Sequence, residues 1–114
     1  TPLDPMKFYY DSLSASAAVG VGQFERAITL AESAIRANCL HGSAFRALAI
    51  ARGMIGDIEG AKSVIARLLQ VEPGSSVEQF LGRAVTRSDK HARFAEILRQ
   101  AGLPEKSATS QLNH

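Results

Sequence analysis

Apolar residues recur along most of the chain at intervals of three and four, the spacing of one face of an α-helix. The clearest stripe lies in the middle of the sequence. Its members are Ile58, Ala61, Ile65, Leu68 and Leu69. Glycines, prolines and capping residues separate segments of this kind and divide the chain into about six antiparallel helices. The pattern therefore predicts an all-α fold.

The first predicted helix begins at Asp4-Pro5, because Asp caps a helix and Pro is tolerated in its first turn. We expect its apolar stripe to face the core. The stripe consists of Met6, Tyr9, Tyr10, Leu13 and Ala17. The next two helices are expected at about 24–37 and 43–54. Three further helices are expected to be capped by Asp57, Ser76 and Ser88.

The last two predicted helices have apolar stripes of their own. The fifth carries Val77, Phe80, Leu81, Ala84 and Val85, and the sixth carries Phe94, Ile97, Leu98 and Ala101. We expect this pair to cap the open end of the helices that precede it. Residues 105–114 are polar and aperiodic, so we expect a disordered tail there.

Part of the sequence occurs twice, at a constant offset. Residues 22–27 (GQFERA) and 56–61 (GDIEGA) share Gly, Glu and Ala at the same places. Ala15 and Ala17 recur as Ala49 and Ala51 at the same offset. Because the identities cluster at a predicted helix–turn–helix junction, we interpret them as a structural repeat.

These positions resemble the tetratricopeptide repeat (TPR), a helix–turn–helix unit. The length of one TPR unit equals the number of residues that separates the two copies in this chain. The repeat at about 42–75 matches the family pattern through Phe45, Leu48, Ala49, Ala61, Ile65 and Pro73, and departs from it at Arg52. The repeat at about 8–41 is degenerate in its first helix. The resemblance implies a right-handed α–α superhelix over residues 1–104, with capping helices at about 76–102, that binds another protein.

Three stretches of the chain resemble a narrower group of TPR-containing proteins. They are Leu3-Asp-Pro with Phe8-Tyr-Tyr-Asp-Ser-Leu, Arg46-Ala-Leu-Ala-Ile, and Arg99-Gln-Ala-Gly-Leu-Pro-Glu105. They are similar to the C-terminal TPR region of bacterial class III adenylate cyclases and related winged-helix regulators. This resemblance implies a fragment of a larger cytoplasmic signalling protein, cut from a longer array. Any catalytic activity would lie in other domains, since nothing here matches a cyclase core.

In the TPR family the first helix of each pair lines the concave groove, and the resemblance implies eight partner-binding positions. They are Tyr9, Ser12, Ser16, Arg46, Ile50, Met54, Gln79 and Arg83. Arg46 and Arg83 are the strongest candidates, because exposed guanidinium groups suit a carboxylate-bearing ligand. The alternative for Tyr9 and Ile50 is an ordinary core position. Because the groove is short, a homodimer could extend it.

The net charge is +2 and the sequence pI is about 9.0, with basic residues scattered along the chain. The nearest approach to a basic patch is formed by Arg83, Arg87, Lys90 and Arg93. A solvated helix face is the simpler interpretation, since nucleic-acid binders show a denser footprint and stacking aromatics. An adaptor that contacts nucleic acid within a transcriptional regulator is the alternative function.

Catalytic and cofactor signatures are not found in the sequence. It has no Gly-rich phosphate loop, and His41, His91 and His114 are too scattered to predict a metal site. A single Cys39 excludes an internal disulfide and fits a reducing cytoplasm. The apolar stretches are too short to span a membrane. We therefore expect a binding module without a cofactor, and not an enzyme.

Overall fold

The computed structural model describes residues 7–40, 42–82 and 89–106, with side chains from residue 10 onward. The described residues form six α-helices, which confirms the all-α prediction for this part of the chain. They are α1 (Lys7–Gly20), α2 (Phe24–Ala37), α3 (Gly42–Met54), α4 (Ile58–Val71), α5 (Val77–Gly82) and α6 (Asp89–Gln100). The expected helix start at Asp4-Pro5, the Ser88 cap and Ala84 with Val85 lie outside the described residues, as do residues 107–114 of the expected tail.

The offset in the sequence is also an offset in the structure. The number of residues between the starts of α2 and α4 equals the number between their ends. The same number of residues separates the end of α1 from the end of α3. The turns between the paired helices contain Gly22 and Gly56, with positive φ angles of 83° and 91°. In both turns the residue after the glycine donates its N–H to the carbonyl five residues earlier at 2.8 Å, a Schellman motif.

The two helix pairs pack through small side chains. Helix α1 packs on α2, α3 packs on α4, and α3 also contacts both helices of the first pair. Alanines at repeat-equivalent places are completely buried: Ala15 with Ala49, and Ala27 with Ala61. Since an alanine lets two helix backbones approach closely, these positions determine how tightly the pairs stack.

Arg52, which departs from the TPR pattern, joins three helices. Its guanidinium contacts Glu32 of α2 at 2.8 Å and Asp57 at 3.1 Å. Asp57 is the predicted cap of α4, and its carboxylate accepts the N–H of Gly60 at 2.9 Å. The cap prediction is confirmed, and Ser76 likewise accepts the N–H of Gln79 at the start of α5.

The last two helices, α5 and α6, do not continue the packing arrangement of the two helix pairs before them. Among the described residues, α6 packs on α3 and α4, while the described part of α5 packs mainly on α6. Val77 donates its N–H to the carbonyl of Pro104, which ties the start of α5 to the segment after α6. This pair is the one expected to cap the stack, and two of its apolar stripe residues, Phe94 and Leu98 of α6, are 5% and 0% exposed.

The predicted core face of α1 is wrong. Tyr10 and Leu13 are 56% and 51% exposed, and Ala17 is also exposed. The opposite face is buried instead, through Ser12, Ala15, Ala18 and Val19. The physical reason is close packing, since α2 and α3 approach α1 on the side where its side chains are small. The side chains of Met6 and Tyr9 lie outside the described part.

Candidate functional site

A groove of about 360 Å³ runs between α1, α3, α5 and the start of α6. We call it the central groove. Its lining consists of Ser16, Val19, Gly20, Ser43, Arg46, Ala47, Ile50, Phe80, Lys90, His91 and Phe94. Four helices that are distant in sequence therefore contribute to one concave surface.

The floor of the central groove is apolar. Val19, Ala47, Ile50 and Phe94 are almost fully buried in the core, and only an edge of each reaches the groove. Phe80 of α5 is partly buried and closes one side. Pockets that bind ligands combine an apolar lining of this kind with a few polar groups that orient the ligand.

The polar groups of the groove favour an anion. Arg46 and Lys90 bring positive charge, His91 adds an imidazole, and Ser16 and Ser43 add hydroxyl groups. None of the described residues that line the groove is an Asp or a Glu. Because apolar walls lower the local dielectric constant, the attraction of this surface for a carboxylate is stronger than at an open surface.

Arg46 is the most buried cation of the groove, with 8% of the residue exposed. Its Nη1 donates to the Glu72 carboxylate at 3.2 Å, and its Nη2 donates to the Ser43 hydroxyl at 3.1 Å. Both contacts offset the cost of burying its charge. Glu72 is 36% exposed at the end of α4, so it pairs with Arg46 from the solvent side.

Gly42, the first residue of α3, makes room for this ion pair. A Cβ placed on Gly42 would lie 1.6 Å from the Glu72 carboxylate oxygen that contacts Arg46. Any side chain there would displace the carboxylate from its present position. The third helix was expected to begin only at about residue 43, so this role of Gly42 was missed.

Lys90 connects two helix ends at the opening of the central groove. Its Nζ donates to the carbonyl of Gly20, the last residue of α1. The start of α6 is thereby joined to the end of α1 across the groove. The Lys90 side chain remains exposed, so its charge is accessible to a ligand at the same time.

The structure brings together three of the predicted binding residues. Ser16, Arg46 and Ile50 all line the central groove. Ile50 is only 3% exposed, so most of its surface belongs to the core, which was its alternative interpretation.

The other predicted binding residues do not share the groove. Ser12 is 2% exposed, because α1 turns this side towards the core. Met54 lies in an adjacent hollow with Phe24 and Arg93. Gln79 is exposed on α5 but does not line the groove. The Tyr9 side chain and Arg83 lie outside the described residues.

Sequence reasoning missed Phe80, Lys90, His91 and Phe94 as groove residues. Periodicity identified both phenylalanines as apolar stripe positions, but not the groove that they border. Of the predicted basic set, Lys90 and Arg93 are exposed on α6, while Arg83 and Arg87 are not among the described residues.

No metal-binding group was found in the part of the chain that the structure describes, where three or more His, Cys, Asp or Glu side chains nowhere converge. Across the same residues, no helix has the length and apolar character needed to cross a membrane. Cys39 is exposed in the turn between α2 and α3.

Comparison with known proteins gave no match, whether to a family model, to a curated protein or to a solved structure.

Proposed function

We propose that this chain is a TPR-like protein-interaction module whose central groove binds a peptide segment carrying a carboxylate beside an apolar side chain. The observation that carries the proposal is the groove itself, with an apolar floor, Arg46 and Lys90 at its polar edge, and no acidic residue in its described lining. The volume of about 360 Å³ is near the lower end of the range for ligand pockets, roughly 300–1,000 Å³, and suits a short segment.

The TPR-like part of the proposal is supported by the helix pairs. Their boundaries recur at the offset of the sequence repeat, and the two internal turns have the same Schellman hydrogen bonds. Repeats of this kind bury a continuous core only by stacking, and the stacked pairs create an elongated concave surface for a partner.

An incoming carboxylate would meet Arg46 already paired with Glu72. The ligand would have to share or replace this contact, so the two acidic groups compete for one guanidinium. We therefore expect opposite effects from the two partners of the ion pair. Arg46→Gln should weaken binding of an acidic peptide, whereas Glu72→Gln should strengthen it.

The magnitude follows from the hydrogen bonds that Arg46 can offer. A charge-assisted hydrogen bond contributes about 1.5–3 kcal/mol, which corresponds to roughly 10- to 100-fold in the dissociation constant. Arg36→Gln is the matched control, because Arg36 is exposed on α2 and does not line the central groove. It should leave peptide affinity unchanged.

The experiment uses an array of short peptides in which acidic and apolar residues are combined. Each peptide is paired with a version in which Asn or Gln replaces Asp or Glu. Pairs that differ in binding are then measured by calorimetry with the wild-type protein and the three variants. Equal binding of acidic and amide peptides would contradict the proposal, as would an Arg46→Gln variant with wild-type affinity.

We further propose, on the sequence resemblance alone, that the module serves a larger bacterial signalling protein such as a class III adenylate cyclase. The sequence of the full-length polypeptide tests this. A cyclase core or a winged-helix domain on its N-terminal side would support the proposal, and an unrelated domain would contradict it.

A further inference from the structure

The outer face of α1 exposes an apolar stripe. We define this α1 outer face as Tyr10, Leu13, Ser14 and Ala17, which all point away from the core, continued by Val21 in the turn. Tyr10, Leu13 and Val21 are three of the five large apolar side chains that are exposed in the described part of the chain. Their exposed fractions are 56%, 51% and 72%. Large apolar side chains that are exposed together on one face mark a surface that a partner can bury.

The sequence repeat identifies the face of α3 that corresponds to the α1 outer face. One repeat later, its positions are Ala44, Ala47, Leu48 and Ala51 of α3, and all of them are at most 4% exposed. Among the described residues, α3 has a preceding helix pair, α1 and α2, packed against it, and no such pair is described for α1. The positions that are buried in α3 but exposed in α1 therefore mark the stacking face of the repeat.

A preceding helix pair of the same geometry does not fit the α1 outer face. Where α3 presents Ala44 and Ala47 to its neighbours, α1 presents Tyr10 and Leu13. These larger side chains would overpack an interface whose closeness depends on alanine. The occupant of the α1 outer face must therefore offer small residues opposite Tyr10 and Leu13.

We propose that the occupant is a second copy of this chain, packed with its α1 antiparallel to the first across a two-fold axis between Leu13 and Ser14. This arrangement places Tyr10 of one copy opposite Ala17 of its partner, and Leu13 opposite Ser14. Each large side chain then meets a small one, and the surface complements itself as a two-fold interface requires. The proposal does not depend on the function of the central groove.

The first test is sedimentation equilibrium at several protein concentrations. We expect a monomer–dimer equilibrium for the wild-type chain. Leu13→Glu should raise the dimer dissociation constant by about 100-fold or more, because both copies lose a buried leucine at the axis. Leu40→Glu is the matched control, since Leu40 is 70% exposed in the turn between α2 and α3. It should leave the equilibrium unchanged.

The outcomes of this test are distinct. A wild-type chain that stays monomeric at every concentration overturns the proposal, and so does a dimer that Leu13→Glu leaves intact. Loss of the dimer in Leu40→Glu alone would place the interface elsewhere. Because Leu13 is 51% exposed, its substitution should not unfold the chain, and circular dichroism checks this.

The second test determines the direction of packing by disulfide formation in a Cys39→Ser background. Chains with Tyr10→Cys are mixed with chains with Ala17→Cys under mild oxidation. Antiparallel packing predicts mixed disulfides between the two kinds of chain. It also predicts no dimer of Tyr10→Cys with itself, because the two sites lie about 10 Å apart along the helix axis, too far for a disulfide.

A Tyr10→Cys dimer that forms as readily as the mixed disulfide would overturn the antiparallel arrangement. The peptide array and the sedimentation measurement also have separate readouts. Failure of one proposal is therefore distinguishable from failure of the other.

Discussion

Replacing Ala61 by leucine tests the packing on which the stack depends. Ala61 lies on α4, is completely buried, and is the repeat equivalent of Ala27, which is buried to the same extent. A leucine adds three carbon atoms at a position with no exposed surface. Because protein cores are close-packed, the neighbouring helices must move apart or adopt strained rotamers. The expected cost is about 1–3 kcal/mol of unfolding free energy.

The same helix provides the matched control, Ala66→Leu. Ala66 is exposed on α4, and leucine is nearly as good a helix former as alanine. We expect this variant to remain within about 0.5 kcal/mol of the wild type. The pair of variants therefore separates packing from helix propensity and from added hydrophobicity.

The measurement is thermal unfolding followed by circular dichroism, with urea unfolding as a second probe. For a domain of this size, each 1 kcal/mol shifts the melting temperature by about 4–8 °C, so Ala61→Leu should lower Tm by roughly 4–24 °C. Equal melting temperatures for the two variants would refute the packing argument. An Ala61→Leu variant with the same melting temperature as the wild type would refute the proposed register of α4.

Three further predictions concern turns and ion pairs. Gly56→Ala should destabilise the fold by about 1 kcal/mol, because Gly56 has φ of +91°, whereas Gly74→Ala, in open space, should be nearly neutral in urea unfolding. Arg52→Met should cost on the order of 1 kcal/mol in the same assay, since it removes two partly exposed ion pairs. The hydrogen bond from Arg99 lowers the pKa of Glu105. The stability that this hydrogen bond contributes is therefore present at neutral pH and is lost as the pH falls through the pKa of Glu105. NMR titration of Arg99→Gln should find a higher Glu105 pKa, and an unchanged value would contradict the assignment.

Much of the fold could be predicted because its signals are local. The glycine of each turn needs a positive φ angle, and Gly22 and Gly56 therefore identify where the helices of each pair end. The bounds expected for the second helix, 24–37, are those that the structure has, and Asp57 caps α4 as expected. Capping and turn formation depend on only a few adjacent residues.

The central groove could not be predicted in full because it depends on how the last two helices pack. Sequence order suggested that the fifth helix follows the third along the stack, whereas α6 takes this place. Lys90 and His91, at the start of α6, therefore reach the groove, while Gln79 of α5 does not. Nothing local in the sequence indicates this exchange. It is accompanied by a backbone hydrogen bond from Val77 to Pro104, residues that are far apart along the chain.

The α1 stripe shows why apolar periodicity alone does not determine which face of a helix is buried. Periodicity assigned Tyr10 and Leu13 to the core, whereas the structure buries Ala15, which the repeat pairs with Ala49. Both of these alanines are 0% exposed, although Ala17, which the repeat pairs with the buried Ala51, is exposed. In a stacked repeat, the size of a side chain at the close contact matters more than its hydrophobicity. An apolar stripe that is too bulky for the close contact therefore indicates a surface for a partner, and it is on this ground that α1 is proposed to meet a second copy.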